Sequence, residues 1–247
     1  MKKTIFVLSV LGLYSNLHSQ QTEPIEKKNE KLNILKSNVT GLLAYRNLNV
    51  TYERALKSWF SVTGGVNFIP KGSTPQARHL KDLEFDYNQV KLSGFAFTLE
   101  SRFYLGKGYG KGFYLAPYYR YSNFNLSEIT LDIEENNESF PVNIHGSTNA
   151  NSVGLMIGSQ WFLGANKNWV LDWWILGAHY GSAKGNMTAK TTNRTLTEEE
   201  QAQLKNEIQS KDLPLEYTIT TNPNGAVFSL YGPWLGIRGG LSVGYRF

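Results

Sequence analysis

The thirteen residues LGIRGGLSVGYRF, at positions 235–247, alternate without interruption between two sets of side chains. Leu235, Ile237, Gly239, Leu241, Val243, Tyr245 and Phe247 form one set; Gly236, Arg238, Gly240, Ser242, Gly244 and Arg246 form the other. A period of two is the β-strand period, so one face of this strand is apolar and the other carries glycines and two arginines. Two settings satisfy such a strand. In a soluble sandwich the apolar face meets a second sheet, whereas in a membrane barrel it meets lipid and the arginines turn into a narrow lumen.

Composition narrows the choice. At 247 residues the chain has the length of one barrel or of two small domains. A mean hydropathy of −0.34 would suit a soluble protein. Transmembrane strands, however, spend only alternate residues on lipid and leave average hydropathy unremarkable. Fourteen Tyr, thirteen Phe, six Trp and 23 Gly favour a β protein with interface anchors and tight inner faces. The absence of cysteine excludes disulfides, thiolate chemistry, Cys-ligated metals and a lipid-modified N-terminal cysteine. The net charge of +5 falls to +3 without Lys2 and Lys3, and no basic cluster is interleaved with stacking aromatics, so nucleic acid is not an expected partner.

The N-terminal MKKTIFVLSVLGLYSNLHSQ has the order of a secretory signal: basic residues, an apolar run from Ile5 to Leu13, then small and polar residues. This predicts a signal peptide over 1–20 with cleavage near Ser19 or Gln20, a flexible polar leader over 21–31, and a barrel over 32–247. The apolar run is too short to span a bilayer as a helix, and no other stretch reaches 18 apolar residues.

Eight segments show period-two character: 32–42, 47–56, 59–69, 89–105, 112–124, 149–163, 168–180 and 234–247. The connections after the second, fourth and sixth are short: Lys57-Ser58, GKGYGK and GANKN. Those after the third, fifth and seventh, at 70–88, 125–148 and 181–233, are long. Short turns on one rim and long loops on the other are the asymmetry of an outer-membrane barrel. An all-β, eight-stranded antiparallel transmembrane barrel with long extracellular loops follows as the expected fold. Trp59, Phe60, Phe103, Tyr104, Phe113, Tyr114, Trp161, Phe162, Trp169, Tyr245 and Phe247 cluster near the short-turn rim and are expected to form one aromatic girdle.

Tyr52-Glu53-Arg54 in the second segment and Glu100-Ser101-Arg102-Phe103-Tyr104-Leu105 in the fourth carry a resemblance. The chain resembles the small outer-membrane β-barrel families of Gram-negative bacteria, of OmpA-like or OmpX-like eight-stranded type. Within these it is similar to an uncharacterised family with "YER" and "ExRxYL"-like strands. The resemblance covers roughly 32–247. Tyr245 and Phe247 also resemble the terminal signal by which barrel-assembly machinery recognises its clients, although Gly240 and Gly244 flank Ser242 where the usual glycine would stand. The resemblance implies residence in outer-membrane lipid and contact with that machinery during insertion.

Assigning each apolar set to the outside turns Lys36, Glu53, Glu100, Arg102, Arg120, Asp172, Arg238 and Arg246 inward. Lys36, Glu53, Glu100, Arg102 and Asp172 fall at similar depth in the short-turn half, with Arg120 and Arg238 higher. An eight-stranded lumen is just wide enough for side chains to fill, so these charges are expected to pair and close it; a gate or proton path is the sharper alternative.

Other candidates are weaker. GKGYGKG at 106–112 has the glycines of a phosphate loop without the strand-to-helix context, and reads as a turn. Asp132, Glu134, Glu135 and Glu138 lack calcium-loop spacing and read as a solvated loop. His79, His145 and His179 show no metal-ligand spacing. His145-Gly146-Ser147 resembles the His-x-Ser of an outer-membrane lipid-A deacylase, but no acidic residue stands a dozen positions later to orient the histidine. In 181–233, TEEEQAQLKNEIQSK predicts a helix with Thr197 as N-cap, Glu200 as its capping-box partner and Lys211 near its end. This helix is expected to lid the mouth or pack on its loop, with partner binding as the alternative. These readings give a non-enzymatic outer-membrane barrel without a cofactor, acting through its loops in envelope integrity or on an extracellular or envelope partner. The alternative is a lipid-modifying barrel enzyme.

Overall fold

The computed structural model describes residues 31–73, 91–106, 108–135, 138–192, 194–209 and 216–247. The expected signal peptide, most of the leader, His79 and Lys211 lie outside the described residues. No helix among them is long and apolar enough to cross a membrane.

Nine strands form one antiparallel sheet. They are β1 (Asn33–Asn38), β2 (Leu48–Lys57), β3 (Phe60–Gly72), β4 (Lys91–Tyr104), β5 (Gly112–Glu135), β6 (Glu138–Leu163), β7 (Trp169–Thr191), β8 (Glu216–Asn222) and β9 (Gly225–Arg246). Consecutive strands pair from β1 to β7, β7 pairs with β9, and β9 returns to β1, so the sheet closes into a ring. The strand beyond the expected eight is β8, which pairs with the outer end of β9 alone. It lies within 181–233, expected as loop.

Three further expectations are corrected. The first segment ends as a strand at Asn38, and α1 (Val39–Tyr45) follows instead of strand to 42. The Asn38 side chain accepts a hydrogen bond from the Gly41 N–H at 2.6 Å, and Arg46 closes the helix with a left-handed φ of 53°. The segments 125–148 and 181–191 are not loops: β5, β6 and β7 run on through them, and Asp132, Glu134, Glu135 and Glu138 lie in the β5–β6 hairpin. The extensions of β5 and β6 carry their own alternation, Ile129, Leu131 and Ile133 and Phe140, Val142 and Ile144, but polar stretches separate it from the apolar runs below. An antiparallel ladder crosses such stretches because it needs no apolar face to hold its hydrogen bonds. Finally, Tyr104 and Tyr114 are buried in the ring's interior, 4% and 2% exposed, instead of joining an outer girdle.

The interior is packed by a recurring device, in which a bulky inward side chain lies across an inward glycine on the next strand. Tyr114 pairs with Gly158 and Tyr118 with Gly154. A Cβ at Gly158 would stand 2.3 Å from the Tyr114 ring, and one at Gly154 would stand 2.6 Å from Tyr118. The same geometry seats His179 over Gly236 and Phe124 over Gly94. In β7 the register shifts between Trp174 and Gly177, leaving Ile175 and Leu176 both exposed, so the inward positions change from even to odd numbers.

Candidate functional site

The centre of the ring is an ion-paired cluster contributed by five strands. Lys36 Nζ on β1 donates to Glu53 Oε2 and Gln160 Oε1 at 2.6 Å each and to Asp172 Oδ2 at 2.7 Å. Arg102 on β4 donates through Nη1 to Asp172 Oδ2 at 2.7 Å and to Glu53 Oε2 at 3.3 Å. Its Nε and Nη2 hold Glu100 Oε2 at 3.0 and 2.8 Å. Arg238 Nη1 on β9 reaches Glu100 Oε1 at 3.2 Å. The side chains of Lys36, Glu53, Arg102 and Asp172 have no solvent exposure.

Neutral groups complete the cluster. Ser61 Oγ and Tyr104 OH donate to Glu53 Oε1 at 2.7 and 2.6 Å. Tyr114 OH and Trp174 Nε1 donate to the two Asp172 oxygens at 2.8 and 3.1 Å. Arg102 also lies over the Tyr114 ring at 4.4 Å, and Arg238 sits against Tyr118 and Trp174 at 4.8 and 5.0 Å. The three carboxylates Glu53, Glu100 and Asp172 face the three cations Lys36, Arg102 and Arg238, so the charges balance. Sealed charges require this completeness, because one lacking its partner would cost several kcal/mol.

Sequence parity missed Gln160, Ser61, Tyr104, Tyr114 and Trp174. Their signal was the two-residue spacing itself: Tyr104 stands two positions from Arg102, and Trp174 two from Asp172. The turn between β4 and β5 folds beneath the cluster, where the Gly110 carbonyl accepts from Gln160 Nε2 at 2.5 Å and the Tyr109 N–H donates to Ser58 O at 3.0 Å. Thus GKGYGKG is a turn that closes the short-turn end.

Two of the inward arginines stand apart. Arg246 lies at the short-turn end over Phe162 at 4.4 Å, its Nε donating to the Lys31 carbonyl at 2.6 Å. Arg120 lies on the other side of the cluster, where Nη1 donates to Thr98 Oγ1 at 2.9 Å and to Asn67 Oδ1 at 3.5 Å. Tyr245 packs edge-on against Trp169 at 5.8 Å, and the Phe247 backbone pairs with Asn33 in both directions at 2.8 and 3.0 Å.

The remaining candidates do not assemble into a site. His145 and Ser147 on β6 are paired in register with Thr188 and Asn186, and no carboxylate holds His145 among the described residues. Among those residues no group of three or more His, Cys, Asp or Glu is placed to hold a metal. The helix α2 (Glu198–Gln209) carries the capping box: Thr197 N–H donates to Glu200 Oε2 at 2.8 Å and Glu200 N–H to Thr197 Oγ1 at 3.2 Å. This helix packs on β8.

The outside of the ring has the opposite character, with Leu99, Leu155, Ile157, Trp169, Trp173, Ile237 and Leu241 among its exposed apolar side chains. Fold and site together define a closed antiparallel β-barrel with an ion-paired interior and an apolar exterior. The chain belongs to the DUF3575 family, whose model, described as a protein of unknown function, matches residues 11–209. No curated protein and no solved structure matches it.

Proposed function

We propose that this protein is an integral outer-membrane β-barrel, similar to the small OmpA-like and OmpX-like barrels, exported with a cleaved signal peptide over 1–20. Its lumen is closed, and it acts without catalysis through its outer wall and loops on an envelope or extracellular partner. The observation that carries this reading is a boundary on the outward face. On β9 the outward positions from Tyr245 to Leu235 are apolar apart from Gly239, and Pro233, Tyr231 and Ser229 follow. Ten residue steps at about 3.3 Å each, tilted about 40° from the axis, give an apolar band about 25 Å tall, the height of the band on outer-membrane barrels.

Neighbouring strands change character at the same level. Tyr119 OH donates to Asn151 Oδ1 at 2.6 Å, and Tyr121 OH and Asn123 Nδ2 both donate to Asn149 Oδ1 at 2.8 Å. A ladder of tyrosines and asparagines above a leucine and valine band suits a headgroup region and would be wasteful against a second sheet. Among the described residues no second sheet covers the band. The balanced cluster supports the closed lumen, since it leaves no free charge at the centre to conduct or select an ion. Membrane fractionation with heat-modifiable electrophoresis tests the reading: the mature chain should sediment with the outer membrane and migrate faster unboiled than boiled. Recovery in the soluble periplasmic fraction overturns it.

A further inference from the structure

Beyond the sealed cluster the interior changes chemistry. Arg120, His179 and Arg238 face it and are only partly buried, in contrast to Lys36, Glu53, Arg102 and Asp172 below. Tyr118 OH is 3.1 Å from His179 Nδ1, and Arg238 is committed to Glu100. Arg120 is different. Its hydrogen-bond partners are the neutral Thr98 and Asn67, and no carboxylate lies within ion-pair distance of it among the described residues. The six charges of the cluster already balance, so Arg120 is a surplus cation inside the barrel, and with Nη1 on Thr98 and Asn67 its Nε and Nη2 remain to attract a carboxylate or phosphate oxygen.

Further out the interior is largely apolar. Leu92, Phe124, Leu126, Met187, Leu230 and Trp234 are the apolar part of the lining of a cavity of about 390 Å³, which Ser147, Thr148 and Asn186 complete and below which Arg120 lies. That volume lies within the range of small-molecule sites. Phe124 and Trp234 meet with ring centroids 5.9 Å apart. Each has an arginine four residues deeper on its own strand, Arg120 below Phe124 on β5 and Arg238 below Trp234 on β9. Four residues span about 13 Å along a strand, so the arginines form one basic level beneath one aromatic throat.

We propose that this part of the interior binds a small amphipathic anion: an apolar body held among Phe124, Leu126, Leu230 and Trp234, and a single carboxylate or phosphate paired with Arg120. The apolar cavity accounts for the body, the surplus guanidinium for the head, and their spacing for the length between them. Arg238 adds positive character around the head without competing for it, since it is already paired with Glu100. Binding of this kind requires only the folded barrel, so its failure would leave the membrane reading untouched.

Isothermal titration calorimetry of the full mature chain in dodecyl maltoside, with micelle-only titrations subtracted, tests it with sodium octanoate and with octanol as its uncharged counterpart. Octanoate should bind saturably at one site per chain and at least tenfold more tightly than octanol. Arg120→Gln should weaken octanoate at least tenfold while leaving octanol unchanged, and Trp234→Ala should weaken both. No saturable octanoate binding, or octanol bound as tightly as octanoate by the unaltered protein, overturns the proposal without recourse to any variant. Unchanged octanoate affinity in a folded Arg120→Gln overturns the role of that residue and with it the proposal.

Discussion

Arg102 on β4 and Asp172 on β7 meet at 2.7 Å across the middle of the barrel, joining strands 70 residues apart in the chain. The same Asp172 oxygen also receives Lys36 from β1 and Trp174 from its own strand. One carboxylate atom therefore ties three strands together, and the cluster acts as a rivet through the ring.

Replacing Arg102 by Met should cost on the order of 3–5 kcal/mol in urea unfolding followed by tryptophan fluorescence, because Glu53, Glu100 and Asp172 would keep only Lys36 and Arg238. Glu100→Gln should cost less, since Arg102 retains Asp172 and Glu53. Arg54 lies on the outward face and donates to Asn33 Oδ1 at 2.7 Å; its change to Ala should stay within about 0.5 kcal/mol. A stable Arg102→Met beside an unstable Arg54→Ala would mean that the faces of these strands are exchanged.

Trp173 and Trp174 are adjacent and point oppositely, 48% and 4% exposed. In bilayers containing brominated acyl chains, a variant keeping only Trp173 should lose most of its fluorescence and one keeping only Trp174 should be nearly unaffected. Equal quenching of the two would refute the lipid assignment of the outward face.

Gly158→Ala places a methyl 2.3 Å from Tyr114 and 2.8 Å from the Trp173 carbonyl, and the backbone oxygen cannot swing away. Overpacking of this kind costs typically 1–3 kcal/mol, so the variant should unfold at clearly lower urea. Gly239→Ala meets nothing nearer than 3.5 Å and should be close to neutral in the same assay.

The carboxyl of Glu200 is held below the usual carboxylate range by the Thr197 backbone N–H and, less strongly, by Arg194. A depressed folded value means that its contribution to α2 is present above the unfolded pKa and is lost as pH falls through the folded one. Hydrogen exchange at the Thr197 amide should accelerate, relative to its intrinsic rate, as pH is lowered through the acidic range. Glu200→Gln should remove that pH dependence, and an unchanged profile in the variant would show that the capping carboxylate is not its source.

Strict alternation in 235–247 made the strand and its two faces legible, and the same parity turned Lys36, Glu53, Glu100, Arg102, Asp172 and Arg238 towards one interior. Two things were hidden. Tyr104 and Tyr114 looked like girdle anchors because a tyrosine suits both a headgroup and a lumen, and only the cross-strand glycine at 158 with the carboxylates at 53 and 172 decides between them. The outer parts of β5 and β6 do alternate, in Ile129, Leu131 and Ile133 and in Phe140, Val142 and Ile144, but the more polar stretches 122–128 and 145–152 part them from the apolar runs nearer the short turns, and an antiparallel ladder runs on through such stretches. Asn38 was legible as a cap in retrospect, since its side chain competes with the strand backbone for the Gly41 N–H, but one cap among alternating residues carries little weight.

Strand length also gives the molecule a front and a back. Measured at about 3.3 Å per residue, the 24 residues of β5 reach roughly 80 Å and the six of β1 roughly 20 Å. With β6, β7 and β9 similarly long, the rim is a high palisade along one half of its circumference and a low sill where β1 gives way to α1. Among the described strands, an object approaching from the β5 side meets a wall that one approaching over β1 does not meet at the same height. The described wall is thereby unequal by direction, steep on one side and shallow on the other.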